Sequence, residues 1–213
     1  MNALAIQGTL PSELIHTLDS DFDTLQPNIY KDGSYRLRRY STFTYQREHK
    51  KLMLNPHRLF VQSDTLNHFQ GNVARDYEDL TQACIESEAF KKIIDTFATA
   101  SNLPEQAIIE VHQLRMLSKH KNDVIPTAPE GIHQDGFDRI GMFIVKRHNA
   151  QGGDLQVYTS CNKDNLMWRV DSQTGAYCVL DDSYYWHDAT ELAALNDDMG
   201  YWDLFVLTAH LKQ

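Results

Sequence analysis

Glu130-Gly131-Ile132-His133-Gln134-Asp135 and, further along, Tyr184-Tyr185-Trp186-His187 are the stretches on which the reading of this fold turns. Two imidazoles and one carboxylate are the ligand set that holds a non-haem Fe(II) by one face and leaves three positions open. Alternate residues of an extended strand point the same way, so His133 and Asp135 can reach one ion. A second His far along the chain completes the set only if a sheet folds back on itself, as in a small barrel. Taken alone, His-x-Asp is weak evidence: a chain with 10 His and many Asp holds one by chance. Asp135-Gly136 is also a good turn dipeptide. The surroundings favour a metal site: Pro129-Glu130-Gly131 precedes the motif, Gly152-Gly153-Asp154-Leu155 follows it, and His187 opens a strand-like segment.

Working outward, many short strands separated by Gly- and Asp-rich turns follow residue 107. They are Ile108 to Leu117, Ile140 to Lys146, Asp154 to Tyr158, Leu166 to Val170, Ala176 to Leu180 and Leu204 to Ala209. Before them, residues 1–34 read as one or two helices, with Leu14, Ile15, Leu18 and Phe22 at helical spacing, ending near Asp32-Gly33. Tyr35 to Tyr45 alternates like a strand, and residues 59–63 form a short apolar run. Leu80 to Ala98 carries Ala83, Ile85, Phe90, Ile93, Ile94 and Phe97 at the spacing of an amphipathic helix. The pattern predicts a mainly β, α+β fold with a jelly-roll core, His133 and Asp135 closing one strand and His187 starting another. One domain is expected over 1–213, with a helical and strand part over 1–100 and the core over 107–210.

A chain of 213 residues is long enough to bury a core without disulfides, and its 42% hydrophobic and 23% charged residues are ordinary. The formal net charge of −9 argues against nucleic acid or an anionic membrane as main partner. Cys84, Cys161 and Cys178 are widely spaced, lack a C-x-x-C pattern and read as reduced, buried or incidental thiols. Met1 to Leu18 lacks the features of a signal peptide, and no stretch approaches the roughly 20 apolar residues of a membrane span. A cytoplasmic protein acting on a small molecule is expected, with the N-terminal helices offering a homodimer face.

Several segments together resemble the bacterial Fe(II) and 2-oxoglutarate dioxygenase family that includes L-isoleucine 4-hydroxylase and related free amino-acid hydroxylases. They are His112-Gln113-Leu114-Arg115, Glu130 to Asp135, Gly152-Gly153-Asp154, His187-Asp188-Ala189-Thr190, and Asp203-Leu204-Phe205-Val206-Leu207-Thr208. Tyr35 to Tyr45 and Phe60 to Arg75 match more loosely. The resemblance implies a double-stranded β-helix in which His133, Asp135 and His187 ligate Fe(II). It also implies hydroxylation of an amino-acid-like substrate coupled to oxidative decarboxylation of 2-oxoglutarate by O2. Tyr184, Tyr185 and Trp186 would help wall the site, although aromatic residues in a strand are more often plain packing.

One position departs from that family. Its members carry an Arg just before the Asp of the final strand, gripping the distal carboxylate of 2-oxoglutarate as a two-toothed fork. Here Gly200-Tyr201-Trp202-Asp203 puts Trp202 there, and an indole offers a single N–H. Three readings follow. Another base, Arg115, Arg147 or Lys146, reaches in from a neighbouring strand. Alternatively the co-substrate is a different oxo acid, less charged at its far end, against which Trp202 packs. In the third, the chain is a cupin-fold protein that binds a metal or small molecule without turnover.

Arg115 is the favoured anchor, because it alternates with Gln113 on one face of an apolar strand and a charge there needs a partner. Gln113 and Arg115 could equally grip a substrate carboxylate. Arg147 lies just before a Gly-Gly turn and is as easily solvated. Thr208, ending the matching final strand, joins Arg115, Arg147 and Trp202 as an expected co-substrate contact. Arg36, Arg38 and Arg39 read as a solvated strand edge in preference to a substrate-carboxylate site. His112, His148 and His210 lack ligand spacing, and Met53, Met116 and Met142 read as core filler. Gly152 and Gly153 do not form a phosphate cradle, having neither a following helix nor a Lys-Ser/Thr.

Overall fold

The computed structural model describes residues 3–31, 34–65, 70–170 and 172–212. In chain order its strands are β1 (Ala5–Thr9), β2 (Arg36–Gln46), β3 (Lys51–Leu54), β4 (Gln106–Ser118), β5 (Arg139–His148) and β6 (Ala150–Gly152). They continue with β7 (Leu155–Tyr158), β8 (Leu166–Arg169), β9 (Ala176–Asp181), β10 (Trp186–Ala189), β11 (Leu192–Ala194) and β12 (Gly200–Ala209). The α-helices are α1 (Ser12–Ile15), α2 (Asp19–Phe22), α3 (Gln82–Glu86) and α4 (Glu88–Ala100).

Seven strands form one antiparallel sheet in the order β1-β9-β5-β12-β4-β2-β3, faced by the smaller sheets β10-β7-β8 and β11-β6. This is the jelly roll expected from the pattern of short strands, in the double-stranded β-helix form that the resemblance implies. The period of two along β4 decides which side chain serves which layer. Ile109 and Val111 pack beneath the helices with Phe205 and Leu207 of β12. Leu114 and Met116 face the smaller sheets with Trp202 and Leu204. Both faces of the large sheet are therefore covered, which is why its central strands read as nearly continuous apolar runs.

On the first face lies α4, whose Phe90, Ile93, Ile94 and Phe97 recur at helical spacing and are fully or almost fully buried. Each such side chain contributes about 1.5–3 kcal/mol by leaving water. The single helix expected over Leu80 to Ala98 is in fact two. Ser87 takes an extended conformation between them and accepts the Phe90 N–H at 3.1 Å as N-cap of α4. That break turns Ala83 to solvent and buries Cys84.

Other expectations need correction. The N-terminal segment begins with a strand, β1, paired to β9, and its helices are short turns of which Ile15, Leu18 and Phe22 are the buried residues. The helix end expected near Asp32-Gly33 lies outside the described residues. The run 59–63 forms no strand; Phe60 makes an isolated bridge to Arg75. The arginine stretch of β2 is not a solvated edge: β3 pairs only with Phe43–Gln46, but Arg38 and Arg39 are buried and Arg36 is half-buried. Cys84 and Cys178 are buried free thiols and Cys161 is an exposed one. Among the described residues no helix is long and apolar enough to cross a membrane.

Candidate active site

His133 and His187 are held together by their own backbones. Each N–H donates to the other's carbonyl, at 3.0 Å and 2.9 Å, in an isolated antiparallel bridge. Asp135 follows in a loop, so the side chains converge without the regular strand assumed for His-x-Asp. Three backbone N–H groups, of Asp135, Gly136 and Phe137, donate to the carboxylate of Asp182 at 3.2, 2.8 and 3.0 Å. Asp182 is 1% exposed and pins the turn that aims Asp135.

The donor atoms form one small triangle. His133 Nε2 lies 3.9 Å from Asp135 Oδ1, and His187 Nε2 lies 3.5 Å from Asp135 Oδ2. One donor from each of the three residues falls within 4.8 Å of the others. His133 Nδ1 lies 2.7 Å from the Gly131 carbonyl, which leaves Nε2 to offer a lone pair. Two nitrogen donors and one carboxylate at these separations suit a divalent transition metal held by one face, and the residues present therefore fit Fe(II).

The electrostatics agree with that use. Burial alone would raise the Asp135 carboxyl, but the His187 bond and the two nearby imidazoles hold it well below the usual carboxylate range. Burial works against a charged His187, yet Asp135 and then Asp182 push its imidazole up. Positive charge is thus favoured where the side chains of His133, Asp135 and His187 meet. Burial holds His112 well below its ordinary value, so it is a neutral ring packed on Tyr40 and Phe60.

The triangle opens into a cavity of about 820 Å³, its mouth included, between the large and small sheets. Leu114, Met116, Met142, Leu155, Leu204 and Val206 supply its apolar wall. Met116 and Met142, read as filler, therefore line the site. Trp202 and Thr208 also line it, 1% and 3% exposed, and neither the Trp202 Nε1 nor the Thr208 Oγ1 has a hydrogen-bond partner.

The expected anchors are elsewhere. Arg115 is on the opposite face of β4, bonded through Nε and Nη2 to Asp203 at 2.7 Å each and through Nη1 to Asp23 at 3.0 Å. Gln113 shares that face. Lys146 donates to Asp19 at 2.7 Å. A bulge between Asp203 and Leu204 shifts the register of β5 and sets Arg147 opposite Trp202. There Arg147 donates to the Gly153 carbonyl and lies 3.3 Å from Asp154, outside the cavity lining. Tyr184, Tyr185 and Trp186 do not line the cavity either.

Among the described residues the arginines that line it are Arg36, Arg38 and Arg75, with Glu130 and Asp188 as acids besides Asp135. The alternation of β2 explains the split within the basic cluster. Arg36 and Arg38 face the cavity, while Arg39 points to the other side and donates to Thr24. That period is present in the sequence, where Arg36 and Arg38 alternate about Leu37 and Arg39 falls on the other face. Asp182 and Arg75 had no such local signal, because long-range folding alone brings them to the site.

No curated protein sequence matches the chain. The family model described as 2OG-Fe dioxygenase matches residues 19–208. Among solved structures, a bsmA homolog from Methylobium petroleophilum PM1 superposes with a TM-score of 0.81 at 24% identity, covering 95% of this chain and 83% of that one. IDO from Bacillus thuringiensis gives 0.74 at 18% identity, over 94% and 84% of the two chains. The Fe(II)/(alpha)ketoglutarate-dependent dioxygenase TqaL gives 0.70 at 12% identity, over 97% and 82%. At these identities the superpositions establish the fold, and the match over 19–208 establishes the kinship: this chain belongs to the 2OG-Fe dioxygenase family.

Proposed function

We propose that this Fe(II)- and 2-oxoglutarate-dependent dioxygenase hydroxylates a small amino-acid-like molecule, with His133, Asp135 and His187 as its iron ligands. Iron and 2-oxoglutarate, when bound, supply the activation of O2, giving succinate, CO2 and one oxygen atom for a substrate C–H bond. The chain's own residues position and exclude. The Gly131 carbonyl and Asp182 orient the ligands, and the apolar wall from β4, β5 and β12 keeps water off the reacting carbon.

One observation carries the substrate class: both signs of charge line the same cavity, beside that apolar wall. Glu130 and Asp188 can receive an ammonium group. Arg75, 2% exposed with an unpartnered Nε, can receive a carboxylate. Its Nη2 donates to Gln62 at 3.2 Å, and Gln62 donates to Asp135 at 3.3 Å, so this cation stands one side chain from the metal ligands.

The test is a survey of free amino acids with iron-loaded enzyme and 2-oxoglutarate, following succinate and hydroxylated product by mass spectrometry. At least one amino acid should raise succinate formation well above the uncoupled rate and gain a single oxygen. Stimulation by none of them, with 2-oxoglutarate still consumed, would reject this substrate class.

A further inference from the structure

We infer that Arg36 and Arg38 of β2 form the carboxylate anchor for the far end of the 2-oxo acid, replacing the final-strand arginine whose place Trp202 occupies. The inference rests on the dioxygenase reading and concerns how this chain accommodates its co-substrate.

Sheet register is the first argument. Trp202 of β12 pairs with Met116 of β4, and Met116 pairs with Arg36 of β2. Leu204, Leu114 and Arg38 make the next row on the same face. Two strand spacings separate β12 from β2, about 10 Å, and a long arginine side chain crosses much of that gap over the low floor of Leu114 and Met116. A guanidinium starting from β2 can therefore serve the region that a residue at 202 would serve from β12.

Elimination is the second argument. Arg115, Lys146 and Arg147 are all engaged with carboxylates away from the cavity lining. Arg36 and Arg38 are not merely surface charges that happen to lie near it. Arg38 is 8% exposed, with its guanidinium carbon 5.2 Å from the Tyr77 ring centre and 5.9 Å from that of Phe60. Arg36 Nε is buried without a hydrogen-bond partner. Trp202 Nε1, buried and likewise unpartnered, adds one donor from the far side of the same row.

Charge balance is the third. Once Asp135 is committed to a divalent metal, the three arginines exceed Glu130 and Asp188, and the lining carries a surplus of positive charge. A dicarboxylate 2-oxo acid answers that surplus; a 2-oxo acid with an apolar tail does not.

The experiment is an anaerobic titration of the Fe(II)-loaded protein with 2-oxoglutarate and, separately, with 2-oxobutyrate, which chelates identically but lacks the distal carboxylate. Binding is read from the visible charge-transfer band. The wild type should bind 2-oxoglutarate at least tenfold more tightly. Arg36→Met and Arg38→Met should each weaken 2-oxoglutarate about tenfold or more and leave 2-oxobutyrate within twofold. Arg38→Lys, keeping the charge without the fork, should retain part of the preference. Arg75→Met should leave the preference intact if that residue serves the substrate.

A wild type that does not distinguish the two acids overturns the anchor. So does a preference that survives in both Met variants, or a parallel loss of both acids, which would mark a structural role. Binding of neither acid to protein that demonstrably holds iron would instead break the dioxygenase reading beneath it.

Discussion

Arg115 and Asp203 sit opposite each other across β4 and β12 and are joined by two 2.7 Å bonds, on the face of the large sheet turned away from the cavity. Asp203 is fully buried and burial pushes its carboxyl up to about 6, which Arg115 opposes. The pair is a structural clamp on the strand that carries Trp202. Arg115→Ala leaves a buried carboxylate without its partner and should cost about 3–5 kcal/mol of stability. Denaturant unfolding would show the loss. Affinity for 2-oxoglutarate in the folded fraction should stay within twofold, whereas its abolition would return Arg115 to the role of anchor.

Asp182 supports the proposed metal ligands through the hydrogen bonds it accepts from three N–H groups, which hold the 135–137 turn. Asp182→Ala should therefore weaken metal binding about 10–100-fold. Competition against a chelator of known affinity measures it. An unchanged iron affinity would mean that the turn holds Asp135 in place without this carboxylate.

Gly152 adopts φ +76°, and a Cβ there would meet the Glu191 carbonyl oxygen at 1.8 Å. The Gly-Gly pair serves close strand approach where β6 pairs with β11. Gly152→Ala should lower the unfolding midpoint clearly, while Gly131→Ala, at φ +76° with no atom near its Cβ, should pay only the backbone cost. Equal losses in a thermal melt would contradict the steric account.

His57 bridges Asp76 and Asp79, with both ring nitrogens at 2.9 Å from carboxylate oxygens, and these bonds raise its pKa. Because the folded value lies above the unfolded one, the stabilisation is full below about pH 6.5 and fades as pH rises through the raised value. The mutual Phe60–Arg75 bridge lies between these residues along the chain. Amide protection at Phe60 and Arg75, corrected for intrinsic exchange, should fall from pH 6 to pH 8. An NMR midpoint for His57 at or below 6.5 would remove the premise.

The sequence made the jelly roll legible through β4, β5, β9 and β12, whose apolar runs are long and bounded by turns. It read β1 as part of a helical segment and missed β3, β6 and β11, which span only three or four residues. It read His133, Asp135 and His187 as one site from their ligand chemistry, their flanking segments and the resemblance, although the regular strand invoked for His-x-Asp is absent. The anchor was misassigned for a parity reason. Gln113 and Arg115 do alternate on one face, but that face packs beneath the helices, and only the register of β4 with β2 and β12 shows which face meets the metal. A charge on an apolar strand did demand a partner; the partner was Asp203 rather than a ligand.

The most direct measurement is the anaerobic titration of Fe(II)-loaded protein with 2-oxoglutarate, comparing wild type with His187→Ala. The account predicts a charge-transfer band that saturates in the wild type and is lost in the variant. A wild type that holds iron but develops no band, or a His187→Ala protein that develops it unchanged, would contradict the assignment of His133, Asp135 and His187 as the iron site.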